Sequence, residues 1–215
     1  YYTLFVENGR IINTPDSMMM DGLREIARVH GGMFRLTPNQ NLMIADIAPS
    51  ARRAVLKLMQ RHGLDKLNRG SGLRLNSMAC VALPTCGLAM AESERYLPHL
   101  ITKLDGILEA HGLAGDPITI RMTGCPNGCA RPYIAEIGLT GRVAGRYNLF
   151  LGGGFHGERL NKMYLENVDE NEIIAVLDKV LGHYARDRYA GEHFGDFAIR
   201  AGYVAEVKEG RHFND

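Results

Sequence analysis

The chain has 215 residues, enough for one large domain or two small ones with apolar cores of their own. Apolar residues make up 46% and charged residues 23%, and the formal net charge is +1. That balance excludes a bulk attraction to nucleic acid or to an anionic membrane, so anion binding has to come from a local group of cations. No apolar run is long enough to cross a bilayer and no signal-peptide pattern opens the sequence. A start at Tyr1, directly in a strand-like run, is expected for a fragment of a longer protein.

In chain order, "YTLFVENGRII" reads as two short strands around Asn8-Gly9, a pair that tolerates the positive φ of a type I′ turn. "TPDSMMMDGLREIARVHGG" reads as a helix capped by Asp16 or Ser17. Met19, Leu23, Ile26 and Ala27 form its buried face, and Gly31-Gly32 ends it. "MFRLTPNQNLMIADI" gives two strands around a Pro-Asn turn. "PSARRAVLKLMQRHG" gives a second helix that buries Ala51, Ala54, Val55, Leu58 and Met59. Residues 1–65 thus form an α+β unit of ferredoxin-like character, and residues 66–215 form a second domain. Residues 64–92 show little periodicity and hold the first two cysteines. "ESERYLPHLITKLDGILEAHG" follows as a helix, with Leu97, Leu100, Leu104, Ile107 and Leu108 inward and Pro98 in its first turn. "PITIRM", "YIAEIGLTGR" and "YNLFLGGG" are strands. "DENEIIAVLDKVLGHYARDRYAG" is a helix with an Asp169…Glu172 capping box. From His193 onward the tail is mixed and polar, with no element predicted.

Four cysteines are too few for a disulfide scaffold in a chain of this size. Their spacing is Cys80-x5-Cys86, then Cys125-x3-Cys129. Neither pair is the C-x2-C of a zinc knuckle or of a thioredoxin-like dithiol. Both fall in loops punctuated by Gly and Pro, which suits an iron–sulfur cluster. In "TGCPNGCARP" the first cysteine follows a strand, and Gly128 permits close approach of the backbone to a bulky group. Placed at i and i+4 of one helical turn, Cys125 and Cys129 would point the same way, with backbone N–H groups facing the cluster. Buried core thiols are the plain alternative.

On these residues, C-x5-C followed by "TGCPNGCARP", the chain resembles the siroheme-containing sulfite and nitrite reductases over essentially its whole length. It is most similar to the C-terminal part of the hemoprotein component in the assimilatory, NADPH-dependent branch. The resemblance implies a second ferredoxin-like half-domain followed by a siroheme/[4Fe-4S] domain, a mixed sheet with flanking helices. It implies that Cys80, Cys86, Cys125 and Cys129 ligate a [4Fe-4S] cluster and that Cys129 also bonds the siroheme iron, which makes it the catalytic cysteine. Asn127 and Gly128 are expected to line the siroheme. The implied reaction is six-electron reduction of sulfite to sulfide in cysteine biosynthesis. Nitrite reduction to ammonia, or an electron-transfer module without its own catalysis, are the alternatives. Implied partners are the N-terminal half of the same hemoprotein, outside this chain, and a flavoprotein carrying FAD and FMN that takes electrons from NADPH. Ferredoxin is the alternative donor. No nucleic acid or membrane partner is expected, and the expected location is the cytoplasm.

Other motifs weigh less. Ala89 and Met90 are candidates to pack on the macrocycle. Arg35, Asn39 and Gln40 in "RLTPNQN" read first as a polar hairpin tip and second as carboxylate ligands. "GGGFHGERL" lacks the ending of a phosphate loop, so it reads as a close-packing loop with Arg159 a candidate partner for a carboxylate. No two of the eight histidines form a metal-ligand pair.

Overall fold

The computed structural model describes residues 1–213, which form two compact units, Tyr1–Gly70 and Ser71 onward. In the first unit β1 (Tyr2–Leu4), α1 (Met19–Val29), β2 (Met33–Leu36), β3 (Leu42–Ala45) and α2 (Pro49–Arg61) follow in sequence. The sheet is antiparallel with order β1-β3-β2. Its core joins Leu4, Val6, Leu42 and Ile44 of the sheet side to Met19, Leu23 and Ile26 of α1 and to Val55 and Met59 of α2. Ala27 and Ala54 are exposed and Ala51 and Leu58 only half-buried, so both helices bury narrower stripes than their sequences predict. All four residues of β2 are exposed.

Two local expectations change. Asn8 and Gly9 do adopt positive φ, 51° and 73°, but no hairpin forms around them. Strand β1 takes β3 as its partner, and the amides of Phe5 and Val6 go to the side-chain oxygens of Asn68 and Asn41. The run after the turn therefore has no strand to pair with. Helix α1 begins after Met18 with no side-chain cap from Asp16 or Ser17. Asn13 reaches in instead: its Oδ1 accepts from the Asp21 amide in the helix's first turn, and its Nδ2 donates to the Asp21 carboxylate.

The second unit contains α3 (Gly72–Leu75), β4 (Ser77–Ala79), α4 (Leu97–Ala110), β5 (Ile120–Thr123), β6 (Ile137–Val143), β7 (Arg146–Leu151), β8 (Lys162–Val168), α5 (Glu170–Asp187) and α6 (Phe194–Arg200). The sheet order is β4-β5-β6-β7-β8. Strands β4, β5 and β6 are parallel, and β7 and β8 run antiparallel to their neighbours. Helix α4 makes the crossover from β4 to β5, as a parallel pair requires. It buries Leu97, Leu100, Ile101, Leu104 and Leu108, with Ile107 only half-buried, and Pro98 sits in its first turn. Helix α5 starts with the full capping box, the Asp169 carboxylate accepting from the Glu172 amide and the Glu172 carboxylate from the Asp169 amide. The core packs β5, β6 and β7 against α4, α5 and α6. Strand β6 starts at Ile137, not Tyr133, because residues 132–134 form a 3-10 turn.

Candidate functional site

The C-terminal ends of two adjacent parallel strands carry the cysteines. Register pairs Ala79 of β4 with Met122 of β5, so Cys80 leaves the sheet level with Thr123, two residues before Cys125. The Cys80 amide donates to the Met122 carbonyl at 3.1 Å, and the Gly124 amide donates to Cys80 Sγ at 3.3 Å. The loop carrying Cys86 then folds back over the second. The amides of Met90 and Ala91 both donate to the Gly124 carbonyl, at 2.7 and 3.0 Å. A Cβ at Gly124 would stand 2.6 Å from Ala82 Cβ and from the Ala91 carbonyl oxygen, so only glycine lets the loops touch there. Crevices outside the carboxyl ends of parallel strands are where such sheets place ligands.

Cys125 is buried, Cys80 and Cys86 are partly exposed and Cys129 is exposed, all four as free thiols. The expected helical turn between Cys125 and Cys129 does not form. Gly128 has φ 71° and Arg131 φ 54°, both left-handed, so the segment is two tight turns, the second closed by the Arg131 amide donating to the Gly128 carbonyl at 2.7 Å. Among the described residues, no three His, Cys, Asp or Glu side chains converge on a single metal ion. The four thiols come from two facing loops instead. That arrangement fits a four-iron cluster, which brings its own sulfides and is larger than one ion.

Three side chains outside the cysteine motifs hold the second loop. The Tyr133 hydroxyl donates to the Pro126 carbonyl at 2.8 Å, and a Cβ at Gly128 would meet the Tyr133 ring at 3.0 Å. Burial, and then the neighbouring Cys125, push the Tyr133 phenol upward. Asn161, fully buried just before β8, donates through Nδ2 to the carbonyls of Pro132 and Ala135 at 2.6 and 2.8 Å. Gly138 makes room for it: a Cβ there would lie 2.7 Å from Asn161 Nδ2. Glu136, fully buried, accepts from the Thr119 amide at 2.7 Å, from the Thr119 hydroxyl at 3.2 Å and from the Gly195 amide at 2.9 Å. Burial raises its carboxyl to about 7, against the pull of those donors.

Two arginines add positive charge. Arg121 points from β5 to within 3.5 Å of the Arg131 carbonyl, two residues past Cys129. Burial, and then the charge of Arg131, lower its guanidinium to about 10. Arg131 lies within the motif itself. Arg121 announced itself only as a lone charge in an apolar strand, "ITIRMT". Tyr133, Asn161 and Glu136 carried no sequence signal that sets them apart.

The remaining candidates separate. Ala89 packs on Gly124, while Met90 is 45% exposed. Asn127 is an exposed turn residue. Arg35, Asn39 and Gln40 lie at the β2–β3 hairpin of the first unit, where Arg35 pairs with Asp46 at 3.3 Å. The glycine loop packs closely, with a Cβ at Gly153 only 2.1 Å from the Ala135 carbonyl oxygen. Arg159 finds its carboxylate within the chain, on Asp196 at 2.6 Å. No described helix is long and apolar enough to cross a membrane.

Residues 70–209 match the Nitrite and sulphite reductase 4Fe-4S domain, and residues 1–62 match the Nitrite/Sulfite reductase ferredoxin-like half domain. The chain belongs to the nitrite and sulfite reductase family. It is 76% identical over 213 residues to the sulfite reductase [NADPH] hemoprotein beta-component of Nitrobacter hamburgensis, covering 99% of this chain and 37% of that protein. The protein of the same name from Staphylococcus epidermidis is 55% identical over 213 residues, again 99% of this chain and 37% of that one. The chain therefore spans little more than a third of the curated relatives it matches. Among solved structures, the Mycobacterium tuberculosis NirA protein aligns with TM-score 0.67 and 30% identity, over 85% of this chain and 35% of that one. Dissimilatory sulfite reductase I shares the fold, with TM-score 0.60 at 12% identity, over 93% of this chain and 71% of that one.

Proposed function

We propose that the chain is the C-terminal part of a sulfite reductase hemoprotein. Its reaction is the six-electron reduction of sulfite to sulfide, in the cytoplasm, for sulfur assimilation. The observation that carries this reading is the pairing of Cys80 and Cys86 with Cys125 and Cys129 on facing loops at the ends of β4 and β5, in a chain of this family. Cys80, Cys86, Cys125 and Cys129 would hold a [4Fe-4S] cluster, and Cys129, the most exposed thiol, would also bind the iron of a siroheme. Together the two groups supply a store of electrons and an electron-rich iron.

The chain's own residues do the holding. The Gly124 amide donates to Cys80 Sγ, and such N–H donors favour the thiolate that a cluster needs. Gly128 brings backbone rather than side chain next to Cys129, and the exposed Asn127 beside it would line the siroheme. Val81, Leu88 and Met90 present apolar surface on the first loop, suited to a macrocycle face. Arg121 and Arg131 offer positive charge to an anionic group beside Cys129. Sulfite must gain six electrons and six protons to leave as sulfide and three waters. Two arginines are few for that task, so further cations are assigned to the N-terminal part of the hemoprotein. A flavoprotein that takes electrons from NADPH is the proposed donor.

The test is the visible spectrum of the full-length hemoprotein with and without sulfite. Siroheme bands that shift on adding sulfite, with iron and acid-labile sulfide in equal amounts beyond the one siroheme iron, are expected. A colourless protein would overturn the reading.

A further inference from the structure

We propose that Tyr133 is a positioning residue for the turn bearing Cys125 and Cys129, and that through this turn it raises the electron affinity of the iron–sulfur cluster. The inference rests on the cluster assignment above. Pro126 and Asn127 are both exposed, so burial does not hold the peptide between the two cysteines. What holds it is the Tyr133 hydroxyl, which donates to the Pro126 carbonyl at 2.8 Å. The ring itself lies under Gly128, at 3.0 Å from where a Cβ would stand. One side chain thus touches the turn at two points, each one residue from a thiol: Pro126 beside Cys125 and Gly128 beside Cys129.

The hydroxyl is itself well fixed. The Tyr133 ring meets Phe150 of β7 edge-on at 5.4 Å and 84°, and Phe213 edge-on at 5.4 Å and 85°. Phe150 and Phe213 lie parallel at 6.0 Å. Such edge-to-face contacts are the favoured aromatic geometry, so the donor is held in place before any cofactor arrives.

The electronic consequence follows from the peptide bond. A donor on the Pro126 carbonyl draws density toward oxygen and makes the Asn127 N–H of the same peptide a stronger donor. Donors and positive dipoles around a cluster stabilise the extra negative charge of its reduced form. Loss of the hydroxyl should therefore lower the cluster's midpoint potential, and a more acidic hydroxyl should raise it.

The experiment is an EPR-monitored redox titration of the full-length holoprotein. Wild type must first show the cluster signal; its absence would defeat the cluster assignment rather than this inference. Given that signal, Tyr133→Phe, which keeps the ring, should shift the midpoint potential downward. Phe150→Leu disturbs the same aromatic group but leaves the hydroxyl, and should shift it less. Should Tyr133→Phe lose its cluster on purification, 3-fluorotyrosine at position 133 provides the stronger donor and should shift the potential upward. An unchanged potential in the variant that retains its cluster, or an equal shift in Phe150→Leu, overturns the proposal.

Discussion

The two cysteine loops are built in different ways. The second, residues 124–136, adds side-chain anchors to its backbone turns: Tyr133 on Pro126, Asn161 on Pro132 and Ala135, and Glu136 on Thr119 and Gly195. The first, residues 80–91, is held chiefly by backbone: Cys86 N–H to the Ala82 carbonyl, and Met90 and Ala91 to Gly124. The first loop also leaves apolar side chains in the open, with Leu88 71% exposed. The difference teaches a division of labour. The loop with Cys129, which would bridge two cofactors, is braced before either binds. The loop with Cys86 rests on it and leaves Leu88 and Met90 exposed.

That contrast can be broken at graded points. Asn161→Ala removes both side-chain donors from the 132–135 turn and should cost about 2–4 kcal/mol of stability. Chemical denaturation of the chain measures it, and a loss below about 1 kcal/mol would mean the brace is not built as described. Gly124→Ala places a Cβ against the Ala82 side chain and the Ala91 backbone, and should cost about 1–3 kcal/mol by pushing the loops apart. Glu136 gives a pH signature. Its folded carboxyl titrates near 7, above its ordinary value of 4.5, so the folded state holds the proton more tightly. The associated stability is present below about pH 4.5 and is lost as pH rises through about 7, roughly 1–3 kcal/mol in all. Thermal melts across that range should show the decline in wild type and a flatter profile in Glu136→Gln. The smallest effect is expected at the first loop, where Leu88→Ala should change stability by less than about 0.5 kcal/mol. A large loss there would show that the loop is braced by its own side chains after all.

Much of this was legible in the sequence, for identifiable reasons. Helix α5 announced itself because its capping box is local: Asp169 and Glu172 bond each other's amides whatever packs around them. Strand β5 announced itself as the run "PITIRM" leading into the second cysteine motif. The Asn8-Gly9 hairpin failed because its φ values are local but its pairing is not, and β3, Asn41 and Asn68 took the partners. Strand β8 was missed because its burial alternates poorly, and α6 because seven residues carry too little periodicity. The same logic separates the candidate site. Its thiols are legible as a motif. Its braces, Tyr133, Asn161 and Glu136, act across the fold on backbone carbonyls and amides, which no spacing rule records. The helical turn expected between Cys125 and Cys129 failed at Gly128, whose left-handed φ was readable as a tolerance and not as a requirement.

The central claim is that Cys129 serves two cofactors while the other three cysteines serve one. Its most direct test is Cys129→Ser in the full-length hemoprotein beside Cys80→Ser, with visible absorption, iron and acid-labile sulfide measured on both. The account predicts that Cys129→Ser disturbs the siroheme bands and the cluster together, whereas Cys80→Ser affects chiefly the cluster. Siroheme binding and iron spin state unchanged in Cys129→Ser would contradict it.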